Sequence, residues 1–84
     1  MLVKCFKYNK DKVVNKTTHT LGFYIDVTEL ADIEDYFSLN DFVTVSFNSK
    51  IGEVLVQGIV TAFNYSMEVD YDVNCELILE YNNV

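Results

Sequence analysis

Proline, tryptophan and arginine are absent from this chain; histidine occurs once, cysteine twice and glycine three times. Each shortage removes a class of reading. Without arginine the chain lacks the planar donor that best grips phosphate and guanine. One histidine and no Cys-x-x-Cys leave no thiolate–imidazole set for zinc. Cys5 and Cys75 are too few for a disulfide framework. Both fall in expected strands and read as small buried hydrophobes, and spacing alone does not say whether they meet. No Gly-rich phosphate loop, Gly-x-Ser-x-Gly, His-Glu-x-x-His or EF-hand pattern occurs. Apolar runs are far shorter than the ~20 residues of a membrane-spanning helix. Lysine also interrupts the opening Met-Leu-Val-Lys-Cys-Phe-Lys-Tyr too often for a signal-peptide core. A cytoplasmic location is the expectation. The abundance of Asn, Lys, Tyr and Ile is the mix of AT-rich genomes, phages among them, and for a phage-encoded chain the expected place is the host cytoplasm.

What remains is enough to fold. Half of the 84 residues are hydrophobic and 14% are aromatic, unlike disordered chains, which are poor in both aromatic and β-branched residues. The length fits one domain, residues 1–84, with a small core.

Period two dominates. From Phe63 to Tyr81 every odd position is apolar and every even position but Ile78 is polar, the mark of half-buried β-structure. A strand of that length exceeds the usual range several-fold, so the chain must turn back. A loop of odd length keeps odd residues on one face of both arms. Asp70-Tyr71-Asp72 between Val69 and Val73 fits first, and residues 68–72 fit second; either puts Tyr71 at an exposed tip among carboxylates. Upstream, Phe42–Phe47 alternates, Asn48–Gly52 is a turn, and Glu53–Ala62 forms a return strand. The apolar face shifts near Gly58, where a β-bulge or sharp bend is expected. Leu2–Tyr8 reads as a strand, residues 9–12 as a turn, 13–17 as a weak return strand and 21–27 as a better one. Thr28 is the expected N-cap of a short helix over about residues 29–37, with Leu30, Ile33, Tyr36 and Phe37 as its apolar stripe. The fold class is therefore mainly β (α+β): a small coiled sheet or barrel of five to six antiparallel strands with one helix.

Charge is segregated. Residues 1–19 carry a net +4 (five lysines, one aspartate), and residues 20–84 carry −11 (one lysine, twelve acids). A field with a direction bears on partners and association rates. Lysines on an edge strand ordinarily guard against sheet-to-sheet pairing. Direct nucleic-acid contact by these lysines works against a total of −7. His19, within the polar stretch Asn15–Thr20, lies in a loop or at a strand end and reads as a solvated loop histidine rather than a general base. The candidate acids, bases and nucleophiles form no catalytic constellation, and the expectation is that the chain is not an enzyme.

Two acid clusters stand out: Asp32, Glu34 and Asp35 on the helix, and Glu68, Asp70 and Asp72 around the hairpin tip with Tyr71. A hard cation needs six or more converging oxygens, and no metal or cofactor is expected. These seven residues are the candidate partner-binding set. They point to a small acidic binding protein that meets a basic protein surface. In its sharper form this is a nucleic-acid mimic or phage-type inhibitor acting on a nucleic-acid-handling protein. One alternative is a structural subunit of a phage or other assembly, its positive front meeting the negative back of the next copy. Another is a barrel that binds a small molecule, glycan or peptide through surface tyrosines.

Overall fold

The alternating stretches resolve into five strands and one short helix. A computed structural model describes residues 1–67 and 72–82. Strand β1 spans Leu2–Val13, β2 Lys16–Asp26, β3 Phe42–Ser49, β4 Gly52–Met67 and β5 Asp72–Asn82. A 3-10 turn over Val27–Glu29 leads into helix α1, Leu30–Tyr36. The strands close into a barrel in the order β1-β2-β5-β4-β3. All neighbours are antiparallel except β3 and β1, which close the barrel through two parallel pairs, Leu2 with Ser46 and Val3 with Phe47.

Alternation decides what goes inside. Val73, Cys75, Leu77 and Leu79 of β5 are buried, as are Leu21 and Phe23 of β2 and Val43, Val45 and Phe47 of β3. In β4 the inward set starts on even residues (Val54, Val56, Gly58, Val60) and changes to odd ones with Phe63. The change occurs at a bulge between Val60 and Ala62, three residues after the expected place. Gly58 has another role. A Cβ built on it would lie 2.8 Å from the carbonyl oxygen of Glu80, so a side chain there would keep β4 from lying against the end of β5. A second bulge between Cys5 and Lys7 re-aims β1, so that Val3 and Cys5 face inward before it and Tyr8 after it.

The front hairpin differs from its sequence reading. β1 runs through Asn9–Lys12 without turning, and the reversal is a two-residue tip, Val14-Asn15, that pairs Val13 with Lys16. The weak strand at 13–17 and the better one at 21–27 are one strand, β2. Beyond Tyr8 the residues of β1 are exposed on both faces, so neither is under pressure to be apolar, although Thr17 and His19 of the paired β2 stay buried. That is why the sequence there looks like a loop. In the last hairpin Met67 pairs with Val73; the tip between them, expected as Asp70-Tyr71-Asp72 or as residues 68–72, lies outside the described residues except for Asp72.

Helix α1 covers one barrel end. Thr28 is not the cap: Asp26 caps the 3-10 turn, the Thr28 N–H donating to Asp26 Oδ1 at 2.9 Å and Glu29 closing a capping box by accepting from the Asp26 N–H, and Glu29 is the N-cap position of α1 itself, without a side-chain cap bond. Ile33 and Phe37 enter the core, Phe37 lying between Phe23 (6.1 Å between ring centroids) and Phe63 (5.5 Å). The Tyr36 hydroxyl donates to the Thr44 carbonyl. The Asn40 N–H donates to Val60 O and the Val60 N–H to Asp41 O, which pins the chain after the helix onto β4.

His19 is not a loop residue. It lies in β2, is 9% exposed and faces inward. The Tyr8 hydroxyl lies 2.7 Å from His19 Nδ1, and the two rings stack. Burial, and next the charge of Lys10, holds the imidazole below its usual pKa, while burial raises the Tyr8 phenol. At neutral pH the imidazole is therefore uncharged and shares a hydrogen bond with the Tyr8 hydroxyl through Nδ1. Unfolding releases this histidine to take a proton near pH 6.5, so stability is complete above that value and falls as pH drops through 6.5 toward the lower folded pKa. Between pH 7.5 and 5.5 the urea unfolding free energy is expected to fall by up to about 1.4 kcal/mol per pH unit below 6.5. In His19→Gln that slope should largely disappear; a slope unchanged in the variant would refute the assignment.

Candidate functional site

The end of the barrel under α1 collects negative charge. Asp26 closes β2, Asp72 opens β5, and the two stand opposite each other in the β2–β5 register. Asp26, Glu29 and Asp72 line one cleft of about 400 Å³ with Ile33, Tyr24 and Lys4. The helix adds three more acids. With Leu30, Ile33 and Phe37 turned to the barrel, steps of about 100° per residue send Asp35 straight outward and Asp32 and Glu34 to either flank. All three are exposed, and Glu34 borders a second cleft with Phe37, Leu39, Thr61 and Phe63.

Of the seven candidate partner-binding residues, Asp32, Glu34, Asp35 and Asp72 thus share this end. Glu68, Asp70 and Tyr71 lie outside the described residues. Asp26 and Glu29 belong to the same acidic end but escape a search for acid clusters, because each looks like a helix-start residue. The signal that finds them is the Asp-x-x-Glu capping spacing, which fixes both carboxylates at the mouth of the cleft. Asp26 is tied down most firmly. The backbone N–H of Thr28, and then its hydroxyl, donate to the carboxylate and hold its pKa below the ordinary value.

The opposite end is basic. Lys10, Lys12 and Lys16 surround the tip of the β1–β2 hairpin. Among the described residues the one ion pair is Lys16 with Glu80, at 3.3 Å and half exposed, so the carboxylates around α1 have no lysine partner. Glu53, Glu76, Asp11 and Asp41 lie elsewhere on the surface. The described residues contain no group of three or more His, Cys, Asp or Glu placed to hold a metal.

The thiols are apart and inert in character. Cys5 and Cys75 stand on opposite sides of Phe23 in the sheet register. Two strand spacings, about 10 Å, exceed the ~7 Å that a disulfide spans, and both cysteines are free. Burial raises the pKa of both, that of Cys75 to about 11, which keeps them as thiols. No helix among the described residues is long and apolar enough to cross a membrane. Comparison with protein-family models, curated proteins and solved structures finds no match.

Proposed function

We propose that the chain is a non-enzymatic binding protein whose α1 end docks onto a basic protein surface, as an acidic inhibitor or nucleic-acid mimic would on a nucleic-acid-handling protein in the same cytoplasm. One observation carries this reading: Asp32, Glu34 and Asp35 stand exposed on the outer side and flanks of a helix packed on the barrel, with no lysine paired to them among the described residues. Carboxylates held on a rigid support lose little freedom on docking, and opposite Lys and Arg they speed association and make it salt-sensitive. The capped Asp26–Glu29 turn and Asp72 extend the same negative field around the barrel rim.

The test is charge reversal. With the chain immobilised and exposed to cell lysate, a basic nucleic-acid-handling protein is expected on the matrix at about 50 mM salt and off it at about 500 mM. Asp32→Lys, Glu34→Lys and Asp35→Lys together should weaken capture by about tenfold or more, and competing duplex DNA should displace the captured protein. The fold should tolerate the change, since exposed substitutions usually cost within about 0.5 kcal/mol each. Capture that ignores both salt and the triple reversal would overturn the proposal.

A further inference from the structure

The barrel closes over a short seam, and the seam leaves one side of β1 open. β1 pairs with β2 as far as Val13, yet on its other side Leu2 and Val3 alone meet β3. Among the described residues no strand covers that side of β1 from Lys4 onward. An uncovered edge presents N–H and C=O groups at ladder spacing, a template for another extended segment.

The surroundings of this edge say what kind of segment fits. Where β1 and β3 part, a cleft of about 540 Å³ is lined by Cys5, Lys7, Tyr8, Phe47 and Lys50, and no carboxylate borders it. Its floor is aromatic, the Tyr8 and Phe47 rings lying 5.1 Å apart between centroids. Past Tyr8, Lys10 and Lys12 continue on the same face of β1, opposite His19 and Thr17 of β2. The acid on this stretch, Asp11, falls on the other face. The open edge is thus a basic strip on a chain of net charge −7. A second copy adding edge to edge would set lysine against lysine, the arrangement that deters such pairing.

We propose that the edge of β1 from Cys5 to Lys12 accepts an extended acidic segment of a partner protein as an added strand. Backbone pairing supplies the ladder. Carboxylates at alternate positions meet Lys10 and Lys12, and an aliphatic side chain enters the cleft over Tyr8 and Phe47. This surface is separate from the acidic α1 end, and its test is independent of it.

The probe is a labelled peptide of about eight residues in which one valine and two glutamates occupy successive positions of the same face, with threonine between them, long enough to span the edge, titrated onto the full chain. Binding in the micromolar range is expected, with hydrogen exchange of the amides of residues 5–12 slowed about tenfold or more. A peptide of equal charge with proline at two adjacent interior positions cannot complete the ladder and should bind about tenfold more weakly. Lys10→Glu with Lys12→Glu should cost a similar factor, with circular dichroism confirming the fold, whereas Glu34→Lys with Asp35→Lys should leave peptide binding unchanged. Equal binding of the proline peptide would reduce the interaction to charge attraction and overturn the proposal. So would protection that maps away from β1, no binding below millimolar concentration, or tighter binding of a single-stranded oligonucleotide at the same residues.

Discussion

Phe23→Ala should lower the unfolding free energy by about 3–5 kcal/mol, a large share of the about 5–15 kcal/mol that a domain has. Phe23 is fully buried at the centre of β2. Cys5 and Cys75 flank it in the register, and the ring of Phe37 packs on it from the helix side. Truncation would leave a void bounded by two strands and a helix, none free to collapse: β2 is paired on both edges along this stretch, and Phe37 is held against Phe63. Urea unfolding followed by circular dichroism measures the loss. Phe6→Ala supplies the contrast. Phe6 sits on the outer surface at 52% exposure, against Tyr24, and its removal should cost less than about 1 kcal/mol. Similar losses for the two variants would contradict the placement of β2 at the barrel's centre.

Gly58→Val should be the most damaging change at a position that carries no side chain. Its Cβ would lie 2.8 Å from the Glu80 carbonyl oxygen, 3.0 Å from the carbonyl carbon and 3.2 Å from Leu79 Cβ. Two of these atoms are backbone in a paired strand, so relief requires β4 to move off β5. Overpacking of this kind costs about 1–3 kcal/mol, and valine's extra methyls put the loss at the upper end. Gly22→Ala tests whether backbone rather than crowding decides. There the added Cβ meets the Phe6 ring at 3.0 Å, and that exposed ring can swing into solvent, so the loss should be small. A Gly58→Val midpoint in urea equal to that of the parent chain would refute the close crossing.

How far the sequence foretold this molecule depends on which residues were under pressure to alternate. Val73, Cys75, Leu77 and Leu79 are buried on one side and bordered by Asn74, Glu76, Ile78 and Glu80 on the other, so period two marked β5 plainly. The Phe42–Phe47 strand was equally legible. At Lys10 and Lys12 the strand leaves the core, polar residues are free to occupy both faces, and a ribbon looks like a turn. Val14-Asn15 turns the chain without proline or glycine, so composition gives no punctuation there, whereas asparagine, serine and glycine marked the Asn48–Gly52 turn. The bulges at Phe6 and Thr61 each shift parity by one residue, and Gly58, the glycine nearest the second, draws the expected bend three residues early. His19 was read from its polar neighbours, yet Thr17 and His19 are themselves inward-facing: the barrel interior turns polar toward the basic end.

The helix acids were legible as a group because Leu30, Ile33 and Phe37 define the buried side, and Asp32, Glu34 and Asp35 are what remains. Their company was not. Asp72 comes beside Asp26 through a strand pairing 46 residues apart in sequence, which no local pattern encodes.

The two-pair seam between β1 and β3 also bears on the order of assembly. Leu2 and Val3 leave the ribosome some forty residues ahead of Ser46 and Phe47, their partners across the closure. Until β3 exists, the first strand can zip to β2 but its other flank has nothing to grip. Local hairpins form in microseconds, whereas joins between distant chain segments come later. That seam can shut once β3 is made, before β5 arrives to join β2 to β4, and until then a nascent chain carries an exposed, lysine-studded ribbon.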